Sequence, residues 1–275
     1  MLAVSLTTIP PRFATLGATL ESLRAQRRAP DLIRVTIPRR YRRFPDWDGT
    51  PPALPAGVEL RVVEEDLGPA TKLLPLAAEL AGTGARILYC DDDWVYGPAW
   101  TARICATARA RPGMAIAGAG FDVDYLGLSP LRPRPGPRPW LRPPAQMIRT
   151  GRLARSAGPA AARAPRTAPG RHGHVDIAQG FAGVLVNPDW FAPETAKIPA
   201  ALWAIDDIWL SGWLAQRGVG IWCAPHVRAG CAPHAGEAGA LQDAVLGGQA
   251  RGAANKAGAA LLARRWGIWG GAAAP

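Results

Sequence analysis

Along the first 120 residues, short apolar runs alternate with segments whose leucines recur at helical spacing, a pattern that calls for a mainly parallel sheet flanked by helices. Leu2 to Thr8 reads as a buried first strand ended by Pro10-Pro11, and Leu16, Leu20 and Leu23 mark a helix that Pro30 stops. Strands follow at Leu32 to Ile37 and Val58 to Val63, then a helix over Thr71 to Leu80. The fourth strand, Arg86 to Cys90, runs straight into Asp91-Asp92-Asp93. Beyond it the pattern predicts a helix over Pro98 to Ala110, strands at Met114 to Ala119 and Val219 to Cys223, an apolar run from Val175 to Val186, and a helix over Ile205 to Gln216. Sheets of this kind bind ligands at the carboxyl ends of their strands, where the acidic triplet falls.

With 275 residues, 48% of them hydrophobic and 19% charged, the chain can bury a sizeable core without disulfide or metal staples. Its formal charge of +11 would by itself suggest a nucleic-acid or anionic-membrane partner. The charge is concentrated, however. Arg132, Arg134, Arg138, Arg142, Arg149, Arg152, Arg155, Arg163, Arg166 and Arg171 fall in one stretch without Asp or Glu that also holds ten prolines, and the rest of the chain is close to neutral. We read residues 125–175 as a mobile basic insertion. It lies within a catalytic domain spanning 1–234, followed by an Ala/Gly-rich helical tail over 235–275 in which Leu241, Val245, Leu261 and Leu262 suggest weak helices. A cytoplasmic location is expected, since no apolar run is long enough to span a bilayer and Met1 to Ile9 lacks the form of a signal peptide; peripheral contact of the insertion with the inner membrane face is a further expectation.

Four cysteines make no C-x-x-C pair, so reduced thiols are the default. The repeat Cys223-Ala-Pro-His226 and Cys231-Ala-Pro-His234 gathers two Cys and two His, which leaves open a tetrahedral zinc site or a pair of stiff turns.

Three consecutive carboxylates repel one another unless a cation sits between them. Asp91 and Asp93, one residue apart, can turn hard oxygen ligands to Mg²⁺ or Mn²⁺, or else form a solvated turn. A second acidic pair, Asp206-Asp207, opens an apolar helix, where it serves either as a proton acceptor or as a cap favoured by the helix dipole.

At this point the sequence resembles nucleotide-sugar glycosyltransferases of the GT-A fold, both family 2-like and β-1,3-type enzymes. Ordered blocks carry the likeness: Val4 to Arg12, Asp66-Leu-Gly-Pro-Ala-Thr-Lys72, Ile87 to Asp93, and Gln179 to Val186 followed by Ala204 to Gly212. The resemblance implies a single α/β domain that transfers a sugar from a nucleotide-diphosphate donor, UDP-linked by expectation, to a glycan or glycolipid hydroxyl, with inversion, as in cell-surface polysaccharide synthesis. By the same likeness Asp91, Asp93 and His226 hold Mn²⁺ or Mg²⁺. Thr7, Thr8, Arg12, Glu64, Asp66, Lys72, Asp92, Gly180 and Gly183 meet the donor. Asp207, or failing it Asp206, takes the acceptor's proton, and Trp203 or Trp209 stacks on a sugar ring. Two alternatives use some of the same features. A metal-dependent nucleotidyltransferase or phosphohydrolase would also need clustered Asp but leaves the glycine block and the Asp-Asp-Ile-Trp helix unused, and a nucleic-acid binder would rest on the Arg-rich insertion alone.

Overall fold

In the computed structural model, which describes residues 1–131, 172–224, 230–231, 245–246 and 249–271, the run Leu2–Leu6 forms β1 and is buried at every position. Its neighbours are β2 (Leu32–Pro38) and, on the other side, β4 (Arg86–Tyr89), both parallel to it. β3 (Glu59–Val63) lies outside β2 as a largely exposed edge strand. The chain therefore builds outward from β1 through β2 to β3, then returns to the other side of β1 for β4. The loops after β1 and β4 meet at that reversal, at the carboxyl ends of the two strands, the place where sheets of this kind form their ligand crevice.

The sheet continues through β5 (Ala115–Ala117), β6 (Gly173–Val175), β7 (Val184–Val186) and β8 (Ile221–Cys223), giving eight strands in the order β3-β2-β1-β4-β7-β5-β8-β6. β7 runs antiparallel to both β4 and β5, and β6 antiparallel to β8, so the sheet is mixed on this side. The apolar segment expected over Val175 to Val186 is not continuous. It contributes β6 at the far edge, a short strand Ile177–Ala178 paired with Gly120–Phe121, a 3₁₀ turn at Gly180–Ala182, and β7 at the centre.

Period-two alternation in β1 sends Val4 and Leu6 to one face and Ala3 and Ser5 to the other. The first face packs on α1 (Leu16–Arg24) and α3 (Trp100–Ala110) through Leu20, Leu23, Trp100 and Ile104. The second packs on α2 (Leu74–Leu80) and α4 (Asp206–Gln216) through Leu76, Ala77, Trp209 and Leu210. The helix expected over Thr71 to Leu80 starts later, at Leu74, because Gly68–Lys72 forms a separate 3₁₀ turn. α4 is apolar on almost every side, as suits a helix covered twice. Its outer cover is α5 (Arg251–Trp266), a single sixteen-residue helix that buries Ala254, Ala259, Leu262 and Ala263 in the core. No described helix is long and apolar enough to cross a membrane. Most of the Arg/Pro-rich stretch, residues 132–171, lies outside the described residues.

Candidate active site

β4 ends at Tyr89, and Cys90, buried like it, leads the triplet into the crevice between β1 and β4. The three carboxylates alternate in direction. Asp92 turns inward with 6% of its side chain exposed, whereas Asp91 and Asp93 keep 33% and 31%. Asp92 is held by the loop after β1: Thr8 Oγ1 donates to its Oδ2 at 2.6 Å and Arg12 Nη1 to its Oδ1 at 2.6 Å. Thr19 Oγ1 on α1 donates to the Asp92 carbonyl at 2.8 Å, and the Tyr41 hydroxyl holds the Thr8 carbonyl at 2.9 Å. Burial raises the Asp92 carboxyl above its ordinary range even with Arg12 opposing it. Asp93 meets Arg12 at 3.2 Å, yet burial and then repulsion from Asp91 and Asp92 push it up to about 6.

On the inner side of the triplet, Lys72 occupies a buried position at the end of the Gly68–Lys72 turn. Its Nζ lies 2.6 Å from Asp91 Oδ1 and 2.8 Å from Asp206 Oδ2, with the Tyr89 ring 5.8 Å away. Burial would lower the ammonium's pKa, but Asp206, Asp91 and Asp207 together raise it well above the ordinary lysine value. Gly180 closes over this pair. A Cβ there would stand 2.6 Å from Lys72 Nζ and 3.2 Å from Asp91 Oδ1, so a side chain would have to push the ammonium out of its place. The Gly180 amide donates to Asp207 Oδ1 at 3.0 Å. Asp207 is pushed up to about 7, by burial first and then by Asp206, against the pull of Lys72. A carboxyl poised near neutrality at a cleft edge is suited to accept a proton.

Beside the triplet a narrow cleft of about 50 Å³ is lined by Thr7, Thr8, Tyr41, Arg43, Gly68 and Trp203, among others. Trp203 borders it but is also a fixture of the scaffold: its Nε1 donates to the Asp66 carbonyl at 2.9 Å, and Arg42 lies 5.4 Å over its ring. Asp66 lines the cleft with both carboxylate oxygens already accepting backbone amides, from Arg42 and Gly68 at 2.8 Å each. A larger cavity of about 260 Å³ sits at the other edge of the sheet, lined by His174, Asp176, Ser211 and Val219. Asp176 there accepts from the Val123 and Leu131 amides and is the one carboxylate lining that cavity among the described residues, in contrast to the cluster at the crevice.

Not every residue singled out by sequence gathers here. Glu64 is 78% exposed on the outer edge and paired with Arg39 at 2.7 Å. Gly183 is explained by packing: at φ 86°, its Cβ would collide with Trp100, on the face of the sheet that holds α3. Trp209 is buried, donates to the Thr195 carbonyl at 2.9 Å and packs on Trp266, which makes it core and unavailable for stacking on a sugar. His226 lies outside the described residues, as do His234 and the side chain of Cys231, and Cys223 is buried in the core. Sequence reasoning passed over Tyr41 and Arg43. Their signal was the cluster Tyr41-Arg-Arg-Phe44 directly after β2, an aromatic and basic loop at a carboxyl end.

Asp91 and Asp93 offer hard oxygen donors within a group of five carboxylates that Arg12 and Lys72 only partly neutralise, which fits a divalent cation such as Mg²⁺ or Mn²⁺. Among the described residues no three or more His, Cys, Asp or Glu side chains converge as a ready-made cage. Any such ion would thus be held by the two carboxylates and by oxygens brought with the ligand. The chain matches no protein-family model and no curated protein, so the functional reading rests on this geometry and on the resemblance of its sequence blocks.

Proposed function

We propose that the chain is a metal-dependent glycosyltransferase of GT-A type, moving a sugar from a nucleotide diphosphate, UDP by preference, to a hydroxyl of a glycan or glycolipid. The observation that carries this reading is convergence. Blocks from four parts of the sequence meet at one acidic crevice: Thr8 and Arg12 on Asp92, Lys72 between Asp91 and Asp206, and the Gly180 amide on Asp207.

Asp91 and Asp93 are the residues that would hold Mn²⁺ or Mg²⁺, which when bound would neutralise charge on the departing diphosphate. Arg12, half-buried at the crevice rim, adds positive charge beside it. The Thr7, Thr8, Tyr41 and Trp203 cleft offers hydroxyl and aromatic groups to the nucleoside, which would have to widen it on binding. Asp206 is committed to Lys72, which leaves Asp207 as the base: it removes the acceptor's proton while that oxygen attacks the anomeric carbon and the nucleoside diphosphate leaves, a direct displacement that inverts the centre.

The reading is tested by incubating the wild type and the Asp91→Ala/Asp93→Ala variant with a panel of UDP-, GDP- and CDP-sugars and Mn²⁺, and identifying the released nucleotide. Release of a nucleoside diphosphate by the wild type alone supports the transferase. Release of a nucleoside monophosphate with sugar phosphate would instead establish a phosphohydrolase, and no release with any donor would overturn both.

A further inference from the structure

We propose that Lys72 is a positioning residue, a buried strut that sets the spacing between Asp91 on the donor side and the first turn of α4, which carries Asp207. The inference rests on the transferase reading for its consequence in catalysis, but its structural content stands apart from it.

The sequence blocks suggest a lysine beside the donor phosphates. The geometry points elsewhere, because only 4% of the Lys72 side chain is exposed and its Nζ is already engaged by Asp91 at 2.6 Å and Asp206 at 2.8 Å. The backbone of Gly180 lies across the ammonium, so close that a Cβ would stand 2.6 Å from Nζ. Phosphate cannot reach the nitrogen without displacing that turn. A compact ammonium suits this slot, where a planar guanidinium would need room on several sides.

Lys72 is also one of two attachments between the same pair of segments. Four residues upstream, Gly68 at φ 60° presses against Trp203, where a Cβ would come 2.6 Å from the Trp203 carbonyl, and Trp203 Nε1 donates to the Asp66 carbonyl at 2.9 Å. Residues 66–72 therefore grip residues 203–206 at both ends. This explains why two adjacent carboxylates open α4: Asp206 is the anchor and Asp207, turned to the Gly180 amide, is the working group. Removing one partner of a buried ion pair leaves the other charge uncompensated, so the first turn of α4 has no equivalent hold without Lys72.

The test uses Lys72→Met and Asp206→Asn in the full chain without added metal or nucleotide, followed by steady-state kinetics on whichever nucleotide sugar the wild type turns over. Hydrogen exchange of amides 205–209 should quicken by about tenfold or more in both variants, with the β1 and β2 amides unchanged. Turnover should fall about 10²-fold with the donor KM within about threefold of wild type, and the double variant should be no worse than Lys72→Met, because both act on one strut. Should Lys72→Met fail to fold, Asp206→Asn and Gly180→Ala carry the same exchange measurement. Unchanged exchange at 205–209 overturns the strut, and so does a donor KM raised about tenfold at unchanged turnover, the mark of a phosphate ligand. If the wild type turns over no nucleotide sugar while both variants loosen α4, the strut stands and the transferase reading falls.

Discussion

Arg12 and Lys72 each lie 2.6 Å from a carboxylate of the same acidic triplet, but Arg12 keeps 18% of its side chain in solvent and Lys72 only 4%. They also divide the carboxylates between them. Arg12 takes Asp92 and Asp93 from the rim, and Lys72 takes Asp91 and Asp206 from below. Asp91, Asp92, Asp93, Asp206 and Asp207 outnumber these two cations, and burial together with that crowding raises Asp93 to about 6 and Asp207 to about 7. A cation at the rim can trade partners when a ligand arrives, whereas one sealed under Gly180 can only hold the frame. The acidic crevice is thus divided into an exchangeable outer half and a fixed inner half.

Substitutions should separate these halves. The largest effect is expected from Asp207→Asn, which removes the base: transfer should fall by about 10²–10⁴-fold while donor binding persists, as measured by initial rates and donor titration. Lys72→Met should cost about 3–5 kcal/mol of stability in urea denaturation, because it leaves the buried Asp206 carboxylate without its cation. Arg12→Ala, at the rim, should cost less, about 1–3 kcal/mol from the hydrogen bond lost to buried Asp92, but should raise the donor KM, which Lys72→Met should leave alone.

The titration of Asp207 sharpens the same contrast. Its carboxyl is raised from the ordinary 3.8 to about 7, so the folded chain holds a proton that the unfolded chain has released, and stability should decline as pH rises from about 4 to about 7. Asp207→Asn should flatten that decline in the metal-free protein, and wild-type turnover should rise with pH on a limb near 7 as the base deprotonates. The smallest effect belongs to Arg39→Ala: its pair with Glu64 is exposed on the outer edge, and the melting temperature should not change measurably.

The half of the sheet built from β1 to β4 was legible in the sequence because each strand is a short apolar run closed by a turn signal, and the triplet follows β4 without a gap. The other half was not. Between residues 173 and 186 the apolar signal looks continuous, but Asp176, Gly180 and Gly183 break it into pieces that pair with different partners, and periodicity carries no record of which strand lies beside which. α5 was similarly faint, since its contact face is mostly alanine and buries area without the leucine stripe that marks a helix. In the site, acidic positions were readable from charge spacing, but the burial of Lys72 was not, because a lysine two residues before a helix reads the same whether it faces phosphate or core. Trp209 and Trp213, four apart on α4, already carried the spacing of core residues, and for Trp209 that spacing outweighs its nearness to the acidic pair.

The most direct measurement is thermal unfolding of the wild type and of Asp91→Ala/Asp93→Ala with UDP, GDP, CDP or ADP, each with and without Mn²⁺. A ligand that binds only the folded chain raises its apparent stability. The account predicts that one nucleoside diphosphate raises the wild-type melting temperature only when Mn²⁺ is present, and that the double variant shows no shift. A metal-dependent shift of equal size in the double variant, or no shift of the wild type with any nucleotide, would contradict it.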